Sequence, residues 1–313
     1  MGLILLNGSF NLIEHMDITL RQLEIFVATA RAGSLAEAAT RSALTRSAAS
    51  MALASLERAA GGPLFVRAGH GLQLNDRGRR LLSGAEGLVK GAEEWLASAR
   101  GEAGRLVGRL RIGCSLTIGN YCLPPLLPAF ATQHPETTVE LTIANSADIA
   151  GALRAGAIDL GLIESGAVPA DLDAERWADD ELVIVAAPSH PLARLPQPIT
   201  PRQLAGTRWL LRERGSGTRE QSEALLARIP RLAGTAEFGG IEAIKEGVVA
   251  GMGLALLSRH TVARDLATGR LAELALRRKL HRTFRLLTYP GQHLSTLARG
   301  FRDWLRETPP AAT

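Results

Sequence analysis

Apolar residues recur at helical spacing in three short segments near the start of the chain. The first segment begins at Thr19, and the second begins after Ser34, which can cap it while Glu37 completes a capping box three residues on. The third runs from a cap at Thr45 to about residue 60. Two short helices joined by a tight turn predict a helix-turn-helix.

A hairpin and a long helix are predicted next. The apolar runs at residues 64–67 and 72–74 flank a Gly-rich turn, which indicates a two-stranded wing beside the helix-turn-helix. From a cap at Asn75 or Asp76 to about residue 100, the pattern predicts one long helix. Its apolar line consists of Leu81, Leu82, Leu88, Trp95 and Leu96. An apolar stripe of this length outside a compact core most simply pairs with a second copy of the chain.

Beyond a Gly-rich linker at residues 101–108, short strands alternate with helices. The predicted strands are 110–113, 139–143, 160–163, 182–187, 209–211, 235–238, 254–257 and 284–288. The predicted helices are 124–133, 147–155, 218–229, 241–249, 259–267 and 294–307. This alternation predicts an α/β domain of parallel sheets covered by helices, with enough chain for two lobes.

The charge of the chain is concentrated in its first quarter. The 313 residues carry a net charge of +5, and residues 17–80 hold nine arginines against five acidic residues, a difference of four. A compact basic segment suggests a module that binds a polyanion such as DNA, although a solvated Arg-rich surface is the plain alternative. With 46% apolar residues and no apolar run of about 20 residues, the composition excludes a disordered chain and a membrane protein. We expect a cytoplasmic, nucleoid-associated protein.

Cys114 and Cys122 are the two cysteines, which are too few for a disulfide scaffold and lack zinc spacing. They flank one predicted strand-to-helix loop, so a redox sensor is an alternative to two buried structural thiols. The sequence contains no pattern of metal ligands, phosphate-binding loop or catalytic triad. We therefore expect neither a metal nor a cofactor, and no enzyme.

Several motifs resemble those of the LysR-type transcriptional regulators of bacteria. They are Thr19-Leu20-Arg21-Gln22-Leu23-Glu24-Ile25-Phe26, Gly33-Ser34-Leu35, Leu44-Thr45-Arg46-Ser47-Ala48-Ala49-Ser50, Pro63-Leu64-Phe65-Val66-Arg67 and Leu74-Asn75-Asp76-Arg77-Gly78. The second half of the chain resembles the YeiE-like branch of this family, which comprises regulators of sulfur metabolism and carbon fixation. The residues that carry this likeness are Thr117-Ile118-Gly119-Asn120-Tyr121, Asp180-Glu181-Leu182-Val183, residues 211–220 and Glu242-Ala243-Ile244-Lys245.

The resemblance implies a homotetramer built from dimers through the long helix. It also implies promoter DNA as a partner, RNA polymerase as a candidate partner, and a small molecule that changes DNA bending from the cleft between two lobes. The lobes would resemble those of periplasmic binding proteins. The implied domains are an unstructured extension at 1–16, a winged helix-turn-helix at 17–76, a linker helix and hinge at 77–107, and an effector-binding domain at 108–313. Within it we expect lobe one at 108–184 with 285–313, and lobe two at 185–284; Met16 is a candidate start beside Met1.

The start of the third helix offers side chains for the major groove of DNA. The candidates are Thr45, Arg46, Ser47, Ser50 and Met51. Ser34 and Arg67 are expected to contact phosphates. The structural alternatives are that Ser34 and Thr45 are only N-caps and that Arg67 pairs with an acid. Arg46 and Met51 depart from the residues common in the family, which bears on the operator sequence rather than on DNA binding.

Two strand-to-helix loops offer hydroxyls and free N–H groups to a small anion. The candidates are Ser115 and Thr117 in the first lobe, and Arg212, Arg214, Ser216, Gly217 and Thr218 in the second. Asn145 and Glu164 follow neighbouring strands as further wall candidates, and Glu164 could repel dianions. A plain helix cap is the alternative for residues 215–218. The likeness favours sulfite or a related sulfur oxyanion, with a phosphorylated or carboxylate metabolite as the alternative.

Overall fold

The computed structural model describes residues 18–68, 71–99, 105–164, 168–290 and 294–311. The chain divides into two compact units, with the boundary between residues 103 and 104. The extension expected at residues 1–16 lies outside the described residues, as does the tip of the wing at residues 69–70. In the part of the chain that is described, no helix is long and apolar enough to cross a membrane.

The first unit contains four helices and one hairpin among its described residues. They are α1 (Leu20–Ala32), α2 (Leu35–Arg41), α3 (Arg46–Ala59), β1 (Phe65–Ala68), β2 (Gly71–Leu74) and α4 (Asp76–Ala99). The N-terminal helices and the antiparallel hairpin confirm the predicted winged helix-turn-helix. The reciprocal capping box lies at Thr19 and Gln22 of α1. At Ser34 the structure has only the bond from the Glu37 N–H to Ser34 Oγ, so the capping box predicted there is wrong.

Helices α1, α3 and α4 enclose the core of the first unit, in which Phe26 and Phe65 meet edge to face at 5.7 Å. Of the apolar line predicted along α4, Leu82 is buried in this core. The other four members, Leu81, Leu88, Trp95 and Leu96, are exposed. The predicted stripe is therefore four residues rather than five, because Leu82 faces its own unit.

The second unit contains nine strands and six α-helices among its described residues. The strands are β3 (Gly108–Ser115), β4 (Thr137–Ala144), β5 (Leu160–Ile163), β6 (Asp173–Ala186), β7 (Arg208–Arg212), β8 (Gly234–Phe238), β9 (Ala255–Ser258), β10 (Ala272–Leu274) and β11 (Leu280–Thr288). The helices are α5 (Leu127–Gln133), α6 (Ser146–Arg154), α7 (Gly217–Leu226), α8 (Ile241–Val249), α9 (Arg259–Ala267) and α10 (Thr296–Glu307). A π-helical turn, Ile118–Cys122, follows β3.

The sheets of this unit are mixed rather than parallel. Strand β3 pairs in parallel with β4 and β5, and β7 pairs in parallel with β8, as predicted. However, β6 and β11 form a long antiparallel ladder, and β9 and β10 add to β6 antiparallel. Strand β6 begins nine residues before the predicted strand because its first half is polar, which hid it from an apolar pattern.

Strands β6 and β11 belong to both lobes. Trp177 and Ala178 of β6, with Phe284 of β11, pack in the core of the lobe built on β3, β4 and β5. Leu182 of β6 packs in a second core with Trp209 of β7. The two strands therefore pass from one lobe to the other at residues 178–182 and 280–284.

Candidate DNA surface and interlobe site

A tight turn sets α3 against α2. Ala43 in this turn has φ of 51°, the left-handed region, and the Leu44 N–H donates to the Ala39 carbonyl at 2.9 Å. Thr45 then caps α3, because its Oγ1 accepts from the Ala48 N–H at 3.2 Å. The turn and the cap together fix where α3 begins and the direction in which it runs from α2.

The candidate DNA residues lie together on the exposed first half of α3. Thr45, Arg46, Ser47, Ser50 and Met51 are all exposed, and Met51 keeps 73% of its surface. An arginine, a threonine, two serines and a methionine thus lie exposed together at the start of α3.

The two phosphate candidates lie on other elements. Ser34 is half-buried as the N-cap of α2, and Arg67 is exposed on β1. Neither Arg46 nor Arg67 has an ion pair with any acidic residue that the structure describes. The alternative in which Arg67 pairs with an acid of the fold is therefore not supported among these residues.

The centre of the interlobe site is Arg282 on β11, whose side chain is 2% exposed. Its Nη2 donates to Thr117 Oγ1 at 3.2 Å, and its Nη1 donates to Thr218 Oγ1 at 2.9 Å. Thr117 follows β3 in one lobe, and Thr218 lies in the first turn of α7 in the other. One guanidinium thus bonds to both hydroxyls, which the sequence analysis assigned to opposite lobes of the cleft.

Two carboxylates complete the site around Arg282. Asp180, opposite Arg282 in the β6–β11 ladder, accepts from Arg282 Nε at 2.7 Å and from Ser258 Oγ at 2.6 Å. Glu164 Oε1 accepts from Thr218 Oγ1 at 3.2 Å, and Glu164 Oε2 lies 3.1 Å from Arg282 Nη2. Both carboxylates are fully buried, and together they hold the pKa of Arg282 above its ordinary value despite its burial.

Among the buried polar atoms that lack a hydrogen-bond partner within the described residues, three belong to the strand-to-helix segments that follow β3 and β7. They are Ser115 Oγ at the end of β3, Ser216 Oγ at the N-cap of α7, and Arg212 Nη1 at the end of β7. Each residue is at most 1% exposed. Buried groups left unpaired in this way are uncommon in proteins, and they are suited to receive a ligand.

The remaining candidates have local roles. Arg212 donates two hydrogen bonds to the carboxylate of Glu213. Arg214 is exposed and has no described bond to the cluster around Arg282. Asn145 Oδ1 caps α6 by accepting from the Asp148 N–H at 2.9 Å. Gly217 is the buried first residue of α7.

The two lobes also touch beside these candidates. Gly215 has φ of 87°, and a Cβ at this position would lie 3.1 Å from both Ala147 and Asn145. The carbonyl of Gly215 accepts from the Ala147 N–H at 3.2 Å. The glycine is therefore required both by its backbone conformation and by the close approach of the opposite lobe.

A second interlobe contact joins Tyr121 of the π-helical turn to α8. The Tyr121 hydroxyl donates to Glu242, and Lys245 Nζ lies 5.9 Å from the centre of the tyrosine ring. Lys245 also pairs with Asp265 at 2.8 Å. Burial and the neighbouring Glu242 raise the pKa of Tyr121, so its hydroxyl remains a donor throughout the neutral range.

Burial raises the pKa of both Cys114 and Cys122, and nearby carboxylates add to the effect at Cys122. Both side chains are therefore thiols rather than thiolates near neutral pH. Because the thiolate is the reactive form, this environment disfavours the redox-sensor alternative.

Arg282 and Asp180 were missed by the sequence reasoning. Arg282 alternates with Phe284 and Leu286 on the buried side of β11, but the strand was predicted to begin only at residue 284. An arginine in the inward register of an apolar strand is the signal that could have identified it.

Comparisons with known proteins agree with this architecture. Residues 20–79 match the bacterial regulatory helix-turn-helix proteins of the lysR family, and residues 103–310 match the LysR substrate binding domain. This chain belongs to the LysR family of transcriptional regulators. The families that match this LysR-family chain are those of regulators rather than enzymes.

Relatives and solved structures span nearly the whole regulator. The HTH-type transcriptional regulator YeiE of Escherichia coli K12 is 40% identical over 92% of this chain and 97% of its own length. The RuBisCO operon transcriptional regulator of Acidithiobacillus ferrooxidans is 33% identical over 92% and 93%. A full-length OxyR variant of Pseudomonas aeruginosa shares the fold, with a TM-score of 0.77, 22% identity and coverage of 94% and 95%.

Several of the similar solved structures contain a ligand, and one of them is 30% identical to this chain. The regulatory domain of CcmR from Synechocystis PCC6803, in complex with 2-PG, is 30% identical to this LysR-family regulator. It covers 64% of this chain and 97% of its own, with a TM-score of 0.59.

Proposed function

We propose that this LysR-family regulator binds promoter DNA through the exposed start of α3 and that a small oxyanion in the interlobe cleft modulates that binding. Arg46, Ser47, Ser50 and Met51 would reach base edges, while Ser34 and Arg67 would contact phosphates. A second copy of the chain, paired along α4, and RNA polymerase are the proposed macromolecular partners.

The observation that carries the oxyanion proposal is the set of buried hydroxyls around Arg282. Thr117 and Thr218 already bond to its guanidinium, and Ser115 Oγ and Ser216 Oγ lie buried on the same two loops with no partner in the part of the chain that the structure describes. The N-terminus of α7 adds backbone N–H groups with a favourable dipole. Hydroxyls, N–H groups and a guanidinium are the donors that proteins use for sulfur and phosphorus oxyanions.

A thermal-shift series of the full-length protein tests this proposal. The probes are sulfite, sulfate, thiosulfate, inorganic phosphate and phosphorylated three-carbon acids. A probe at about 100 times its Kd stabilises the protein by about 2.7 kcal/mol, which is a shift of several degrees. Thr117→Val or Thr218→Val should abolish the shift, whereas Thr132→Val, on the exposed surface of α5, should retain it.

A phosphorylated metabolite is the second candidate. It is favoured by the CcmR regulatory domain, which holds 2-PG and is 30% identical to this chain. A shift with a phosphorylated acid but not with sulfite would select this candidate. No shift with any probe would contradict the proposal of an anionic effector and leave the DNA-binding assignment unaffected.

A further inference from the structure

The interlobe cluster contains more negative than positive charge. Arg282 supplies one positive charge, and Asp180 and Glu164 supply two negative charges, with all three side chains at most 2% exposed. A fully deprotonated dianion entering this cluster would meet a net negative charge in a medium of low dielectric. The hydroxyls favour an anion, but the carboxylates restrict its total charge.

The two carboxylates differ in their remaining capacity to accept hydrogen bonds. Asp180 is engaged at both oxygens, because Oδ1 accepts from Ser258 and Oδ2 accepts from Arg282. Glu164 Oε1 accepts from Thr218, whereas Glu164 Oε2 accepts no hydrogen bond among the described residues. Its 3.1 Å contact with Arg282 Nη2 is an ion pair without hydrogen-bond alignment. A buried carboxylate oxygen in this state requires a donor.

The described side chains around Glu164 do not provide a second donor. Thr218 already directs its hydroxyl proton to Oε1 while its oxygen accepts from Arg282. The other charged or titratable groups near the cluster are Cys122, which interacts with Glu164, and His260, which interacts with Asp180 and Arg282. The donor for Glu164 Oε2 can come from the ligand itself.

We propose that the effector is an oxyanion that keeps a proton, such as hydrogen sulfite or dihydrogen phosphate, and that donates this proton in a hydrogen bond to Glu164 Oε2. This inference rests on the proposed oxyanion site. Ser115, Ser216 and Thr117 donate to the unprotonated oxygens of the ligand. Glu164 thereby excludes sulfate, which has the same shape as phosphate but carries no proton near neutral pH.

Isothermal titration of the full chain with sulfite, phosphate and sulfate tests the inference. The parent protein should bind sulfite or phosphate at least tenfold more tightly than sulfate. Because hydrogen sulfite loses its only proton near neutral pH, sulfite affinity should fall between about pH 6 and about pH 8. Phosphate affinity should fall less over this range, because dihydrogen phosphate loses one proton and keeps the other. Glu164→Gln supplies an amide donor in place of a carboxylate oxygen that accepts. The affinity for sulfate should therefore rise at least tenfold, and the preference for sulfite and phosphate over sulfate should disappear.

Two controls separate the alternatives. His260→Gln should retain the pH dependence, since the titrating proton belongs to the ligand, and loss of the dependence in this variant would overturn the inference. Glu164→Asp keeps a carboxylate and should still bind sulfate more weakly than sulfite and phosphate. This variant provides a second measurement if Glu164→Gln does not fold.

The outcomes also distinguish the two proposals. If the parent binds sulfate as tightly as sulfite and phosphate, the proton-based selection is wrong while the oxyanion site stands. If the parent binds none of the three anions and none of the phosphorylated acids above, both proposals are wrong.

Discussion

Arg282 shows how a single buried charge can depend on its neighbours. Its guanidinium bonds to Asp180, Thr117 and Thr218 and pairs with Glu164, so four side chains from different elements converge on it. Removing one partner of a buried ion pair leaves the others as uncompensated charges, which costs more than the pair itself contributes.

Arg282→Met should therefore lower the free energy of unfolding by about 3–5 kcal/mol, because Asp180 and Glu164 lose their cation. Urea denaturation of the purified protein measures this difference. The triple variant that also carries Asp180→Asn and Glu164→Gln should recover part of the loss, and Arg278→Met, at an exposed position, should change little. A stable Arg282→Met protein would contradict the buried-charge description.

Arg46 is the residue on which the choice of operator is expected to depend. Arg46→Ala should weaken binding to the cognate promoter by about 1–3 kcal/mol if the guanidinium reads a guanine, with a smaller effect on unrelated DNA. Fluorescence anisotropy at fixed salt concentration measures both affinities. Arg58→Ala removes an exposed arginine at the other end of α3 and is the matched control. Equal losses in the two variants would show that Arg46 contributes only general charge.

Among the elements, the turn between α2 and α3 has a backbone that its sequence does not favour. Ala43 has φ of 51°, where an L-residue with a Cβ is strained and glycine is not. Ala43→Gly should raise the free energy of unfolding of the first unit by about 0.5–1 kcal/mol, with the larger freedom of glycine in the unfolded chain limiting the gain. Thermal unfolding measures it, and Ala36→Gly inside α2 should be destabilising instead.

The helices were easier to predict from the sequence than the sheets. The bounds of α8 and α9 were predicted to the residue, because each combines a regular apolar face with a clear start. The three-residue strand β10 was missed, since it is too short to show an alternating pattern. The first half of β6 was missed because most of its residues are polar, although Trp177 and Ala178 pack in a core.

The candidate site was predicted in part for a related reason. The loops with Ser115, Thr117 and Ser216 carry a local signal, since hydroxyls and glycines cluster where a strand meets a helix. Arg282 and Asp180 meet through the pairing of strands that lie 102 residues apart in sequence. No local pattern encodes that pairing, so the centre of the site became visible only in the fold.

At the scale of the whole molecule, α4 offers a surface for a second chain. Leu81, Leu88 and Trp95 are spaced by seven residues and exposed, and Leu81 and Leu88 also line an apolar groove with residues of α1 and α3. Spacing by seven along one face is the pattern of helices that pair over several turns.

Leu88→Lys should therefore shift the protein toward the monomer, because it places a charge at the centre of this face. Light scattering coupled to size-exclusion chromatography measures the mass. Ser83→Lys lies on a different side of α4 and should retain the parent's oligomeric state. A monomeric parent protein would contradict the pairing itself.

Because β6 and β11 pass through both lobes, they determine how one lobe can move relative to the other. The antiparallel ladder pairs β6 with β11 on both sides of a register shift at Phe284/Arg285, so the lobes cannot slide apart without breaking it, whereas a small twist of the two strands turns one lobe relative to the other. Asp180 and Arg282 face each other within this ladder, whereas Tyr121 and Glu242 join the lobes from other elements. A ligand that alters the bonds of Arg282 thus acts on the two strands that both lobes share.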